Sequence, residues 1–243
     1  MSNHHHLLIR DEHGNYPEFL AHLHKMIAKA MNAYLGRKEN FWSSEQPSVV
    51  PVIEASDLFA KLLYILANPV AADLVEHVAD WPGAVSLTQM FSDRSMTVER
   101  PNIFFREEGP MPESAQLRAE RVPGLEHLGA REWEQLVMSE LQAKEECERI
   151  RRREQNKRVL GRKGVLRTDP MSRPTTEEPP GEPGPRIACK NKERREHEIG
   201  LLAAFRSMYR AALALWRGGD HSAEFPEGTY RMRWFGARVA GAT

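Results

Sequence analysis

Apolar residues recur at helical spacing in several stretches, separated by short β-branched runs and polar clusters. Residues 3–10, rich in apolar residues, predict a short strand, closed by the turn-type cluster Asp11-Glu12-His13-Gly14-Asn15. Pro17 then suits the first turn of a helix. Phe19, Leu20, Leu23, Met26, Ile27, Ala30, Met31 and Tyr34 fall on one helical face, and Gly36 stands where a C-terminal cap belongs. Residues 47–54 predict a second strand, with Pro51 restricting it to an edge or a bulge. Ser56 is the expected N-cap of a helix carrying Leu58, Phe59, Leu62, Leu63 and Leu66, which Asn68-Pro69 should end or kink.

Beyond it, residues 70–78 predict a further helical turn or two, and Trp81-Pro82-Gly83 a turn. Residues 84–130 are mixed, with a strand expected at 102–105. A charged helix is expected over 131–155, striped by Trp133, Leu136, Val137 and Leu141. Residues 168–186 are too rich in proline and glutamate to pack and predict a linker. A second amphipathic helix over 191–217 carries Leu201, Leu202, Phe205, Met208, Leu213 and Trp216, and 225–235 reads as an aromatic strand or loop. The expected division is 1–90, 91–167, the linker 168–186 and a helical segment 187–243. Mixed helix and strand in this order predict an α+β chain.

Charge changes the picture by its distribution. Lys plus Arg and Asp plus Glu both number 34, so net charge points to no partner. Residues 1–90 hold 6 basic against 10 acidic side chains, whereas 144–167 hold 10 against 4 and 186–217 hold 8 against 3. The basic C-terminal half is the expected phosphate-binding face. Cys147 and Cys189 are far apart, which fits a reducing cytoplasm and excludes a cysteine zinc cluster. No apolar run approaches the ~20 residues of a membrane span, and residues 1–20 lack the order of a signal peptide.

The candidate chemistry lies in two short stretches. On a strand, His4 and His6 present both imidazoles on one face. On a helix, Tyr64 and Asn68 project from the same side. If helix and strand meet, two imidazole nitrogens and the Asn68 carbonyl can hold Mg²⁺ or Mn²⁺, with positions open for phosphate oxygens and the Tyr64 hydroxyl alongside. That arrangement suits phosphoryl transfer to a tyrosine, whose covalent phosphotyrosine keeps strand cutting reversible.

The order of these motifs resembles a known family. The run Met1-Ser2-Asn3-His4-His5-His6-Leu7-Leu8, then Gly36-Arg37 with Trp42, then Tyr64-Ile65 with Asn68-Pro69-Val70, is similar to the REP-associated tyrosine transposases of the HUH class. The resemblance covers residues 1 to about 88. It implies a ferredoxin-like core, a metal held by His4, His6 and Asn68, and a nucleophile at Tyr64. It implies single-stranded or hairpin DNA as partner, handled by a monomer or homodimer. Three departures go with it. The centre of the His pair is His5 instead of an apolar residue. The family's Asn-Pro-Val-Arg-Ala-Gly-Leu-Val reads Asn68-Pro69-Val70-Ala71-Ala72-Asp73-Leu74-Val75. The strand, helix and strand that precede the His pair in the family have no counterpart, so an N-terminally truncated sheet with a mostly helical C-terminal extension is expected.

The cations assigned to DNA are Arg37 and the cluster Arg151, Arg152, Arg153, Lys157, Arg158, Arg162 and Lys163. The same cluster reads equally as a solvated helix face, because Glu145, Glu146, Glu148 and Glu154 are spaced to pair with it. Trp42 is expected in the core, and His22 and His24 in solvent. The competing function is a DNA-binding relic without catalysis.

Overall fold

The computed structural model describes residues 4–43, 47–87, 91, 95–101, 105–169, 172 and 187–241. They form a mixed helix-and-strand chain, divided into two compact units that do not follow chain order. The first unit comprises Met1–Leu8 with Ile53–Glu182, and the second Ile9–Val52 with Pro183–Thr243. No described helix is long and apolar enough to cross a membrane.

The first unit is built on a helix pair. Helix α2 (Ala55–Ala71) turns Leu63, Leu66, Ala67 and Val70 toward Trp133, Val137 and Leu141 of α3 (Ala130–Glu154). Spacings of three and four keep each set on one stripe, and Val75, Val78 and Val122 close the core between them. The buried leucines and valines each contribute about 1.5–3 kcal/mol by leaving water. The N-terminus of α3 is fixed by Glu132, whose carboxylate accepts from the Gly129 backbone N–H at 2.9 Å. A short helix, α4 (Gly161–Arg167), follows it; the backbone N–H groups of Leu160 and Gly161 donate to the carbonyls of Asp73 and Leu74. An antiparallel hairpin pairs β1 (Met96–Glu99) with β2 (Ser114–Leu117).

The second unit holds α1 (Tyr16–Leu35) and α5 (Lys192–Arg217). Gly36 closes α1 at φ 63°, with the Arg37 N–H returning to the Asn32 carbonyl, as the capping role read from sequence requires. Asn191 caps α5 by accepting from the Arg194 N–H. The core here is small: Ala212, Phe225, Met232 and Val239, flanked by Tyr209, Leu213, Trp216 and Ala237. Parallel pairing of β3 (Glu224–Phe225) with β4 (Arg238–Val239) fixes the C-terminal segment.

Several expected elements take another form. Residues 4–10 are mostly exposed and carry no strand, because no neighbouring strand among the described residues offers them a ladder. The 47–54 run reduces to one parallel bridge, Val52 with Ala188, for the same reason. Helix α2 begins at Ala55, with Glu54 as N-cap in place of Ser56. It runs through Pro69, which forgoes one bond to the preceding turn, and the helix stops two residues later at Ala71. A 3-10 turn at Val78–Asp80 replaces continued helix. The expected strand at 102–105 and the linker at 168–186 lie largely outside the described residues.

Candidate active site

Helix α2 carries two adjacent stripes with different duties. The stripe at 63, 66, 67 and 70 is buried against α3 and holds the helix in place. The neighbouring stripe, Lys61, Tyr64 and Asn68, has the three-then-four spacing that aligns side chains on one helical face. That second stripe meets residues 4–6. Asn68 Nδ2 lies 3.4 Å from His6 Nε2, across 62 residues of sequence. The rings of His6 and Tyr64 approach edge to face with centroids 5.8 Å apart, and His4 and His6 do so at 5.0 Å.

The structure therefore brings His4, His6, Tyr64 and Asn68 into one cluster, although the His pair arrives on an irregular segment instead of a strand. Burial lowers the His6 pKa below its ordinary value, and the nearby charges of His4 and His5 lower it further. A neutral His6 accepts the Asn68 amide proton at Nε2, which places its own proton on Nδ1. Tyr64 is half exposed. Lys61, which the sequence reading passed over, sets Nζ 5.3 Å from the centre of the Tyr64 ring. Its signal was the three-residue spacing from Tyr64.

Two imidazoles and a carboxamide form a donor set suited to a divalent cation such as Mg²⁺ or Mn²⁺. As placed, Asn68 turns its Nδ2, and not its carbonyl oxygen, to His6 Nε2, so binding a cation requires the carboxamide to rotate and bring Oδ1 to the His6 side. With that rotation the residues fit.

The basic cluster separates into two kinds of cation. Arg152 is buried, with a side chain 4 % exposed; Nη1 donates to the Val70 carbonyl at 3.1 Å and Nη2 lies 3.3 Å from Glu76. Arg151 pairs with Asp73 and with Glu148. These two support the α2–α3 packing, and Arg152 has no surface to offer a phosphate, which corrects its assignment to DNA. Arg153, Lys157, Arg158, Arg162 and Lys163 are exposed, and Arg162 donates to the Asp80 carbonyl at 3.3 Å. Arg37, in the second unit, is largely covered and lies 3.7 Å from Glu39. Trp42 is half-buried there, its indole N–H donating to the His24 carbonyl at 2.8 Å, so His24 is not the solvated residue its sequence context suggested. Comparison with protein families, curated proteins and solved structures finds no match to the chain.

Proposed function

We propose that this chain is a DNA strand transferase of the HUH tyrosine class, similar to the REP-associated tyrosine transposases. The observation that carries the reading is the meeting of His6 with Asn68 and Tyr64, two motifs distant in sequence whose chemistry makes sense only together. The fold implied by that class is a ferredoxin-like core, here followed by a mostly helical extension.

In this reading the Tyr64 oxygen attacks the scissile phosphorus of single-stranded or hairpin DNA. The bond from phosphorus to the 3′ oxygen breaks, the leaving oxygen gains a proton, and Tyr64 retains the 5′-phosphate. Attack by a 3′ hydroxyl reverses the step and frees the tyrosine without a nucleotide cofactor. His4, His6 and Asn68 would hold Mg²⁺ or Mn²⁺, which when bound polarises the phosphate and offsets its developing charge. Lys61 adds a fixed cation beside the nucleophile, and the half-exposed setting of Tyr64 admits a strand.

The test is covalent capture of a labelled single-stranded oligonucleotide, read on a denaturing gel. Wild-type protein should form an adduct with Mn²⁺, and Tyr64→Phe should form none while still binding DNA. An adduct that persists in Tyr64→Phe sinks the assignment. Binding with no adduct at any metal concentration favours the second reading, a non-catalytic DNA-binding protein. The exposed run Arg153, Lys157, Arg158, Arg162 and Lys163 supports that alternative.

A further inference from the structure

We propose that Trp234 and Phe235, exposed on a turn flanked by Arg231, Arg233 and Arg238, form a stacking platform for single-stranded DNA. All five tryptophans are described, and Trp234 alone among them is exposed, at 63 %; Phe235 beside it is 61 % exposed. Large aromatic side chains in water are costly unless something covers them. These two are not on a frayed end. Met232 and Val239 anchor the segment on either side in the core of the second unit. Gly236 closes the turn at φ 74°, with N–H bonds from Gly236 and Ala237 back to Arg233 and Met232. Tyr230 holds the Trp234 ring edge to face at 5.5 Å. The exposed Trp234 ring is thus presented in a set orientation.

Charge selects the occupant. From Gly228 to Thr243 the chain has three arginines and no acidic residue. Arg231, Arg233 and Arg238 are exposed and have no ion-pair partner among the described residues. In a 3-10 turn the side chains at i and i+3 eclipse, so Arg231 and Trp234 share a side. Aromatic faces interleaved with unpaired cations match a strand of bases and phosphates, since every base offers a π face once unstacked. A duplex hides those faces. The choice of DNA as the polyanion rests on the reaction proposed above, whereas the binding itself does not use Tyr64.

The test is fluorescence anisotropy of labelled dT20 with the full chain, at several salt concentrations. Trp234→Leu keeps apolar bulk but removes the π face, and should weaken dT20 binding about tenfold, whereas Trp234→Phe should stay within about threefold. The double change Arg231→Gln and Arg233→Gln should lower the slope of log affinity against log salt by about 1.4. Binding to the dT20·dA20 duplex should be the same in wild type and Trp234→Leu. Unchanged dT20 affinity in Trp234→Leu, or an equal loss on the duplex, overturns the platform; preference for rU20 overturns the choice of DNA. Tyr64→Phe should bind dT20 as wild type does. A missing Tyr64 adduct with Trp234 dependence intact therefore removes only the active-site reading, and the converse removes only the platform.

Discussion

Asp73 sits at φ 56°, in the left-handed position that closes α2, and its carboxylate pairs with the guanidinium of Arg151 on α3. The transposase pattern proposed for this chain has glycine at this place and arginine two residues earlier, where this chain has Asp73 and Ala71. The two differences make sense together. Aspartate tolerates the left-handed turn better than most side chains, and it recruits a cation from α3. That cation also reaches the Ala71 carbonyl, 3.3 Å from Arg151 Nη2, so a guanidinium still stands at the end of the motif.

Asp73→Ala should destabilise the first unit by about 1–2 kcal/mol, mostly from backbone strain at positive φ, with the partly exposed ion pair adding less than about 1 kcal/mol. Asp73→Asn keeps the tolerance for the turn and should lose only the pair. Urea denaturation separates the two. Equal losses in both variants would place the whole effect in the ion pair.

Arg152 and Arg153 are neighbours with opposite duties. Arg152→Ala removes a buried cation that serves the Val70 carbonyl and faces Glu76 and Asp73, and should cost about 3 kcal/mol of stability. Arg153→Ala, at an exposed position, should change stability by less than about 0.5 kcal/mol and instead lower the salt dependence of DNA binding. Thermal melting and binding on the same two proteins decide it; similar melting temperatures for both would contradict the burial of Arg152.

The long helices and the site on α2 were legible because each rests on periodicity within one element. Leu63 and Leu66, and Trp133, Val137 and Leu141, mark buried stripes by spacing alone, and the same spacing aligns Tyr64 with Asn68. The role of Gly36 was legible for a local reason also. What failed depended on partners distant in sequence. The 3–10 and 47–54 runs have strand-like composition, but composition cannot supply a neighbouring strand. The β1–β2 hairpin was missed because its exposed residues, Met-Thr-Val-Glu and Ser-Ala-Gln-Leu, show no buried face. The burial of Arg152 was hidden because the arginines around it are identical in sequence and differ only in which side of α3 they take.

The pairing of His77 with Glu145 links stability to pH. His77 Nδ1 lies 2.8 Å from Glu145 Oε2, while the other carboxylate oxygen accepts from the Val78 N–H at 2.7 Å. The hydrogen bond to Glu145, aided by the charges of Glu145, Asp80 and Glu76, raises the His77 pKa above its ordinary 6.5. A raised histidine stabilises the fold fully below the unfolded value and loses that contribution as pH climbs through the folded one. Stability should therefore fall as pH rises above about 6.5, and His77→Gln should flatten that fall. A slope unchanged by His77→Gln would assign the pH dependence elsewhere.

His6 carries the opposite shift, and its cause can be dissected at His5. Burial comes first in lowering its pKa, followed by the charges of His4 and His5. For a lowered histidine the unfolded chain binds the proton more readily, so stability is lost as pH falls below 6.5 toward the folded value. In metal-free protein the His6 ring resonances should titrate below the ordinary histidine range. His5→Leu places an apolar residue at the centre of the His pair and removes one of the two repelling charges. His6 should then titrate at a higher pH than in wild type, though still below ordinary because burial remains. An unshifted His6 midpoint in His5→Leu would mean that burial and His4 account for the whole effect, and that the third histidine has no electrostatic hold on the cluster.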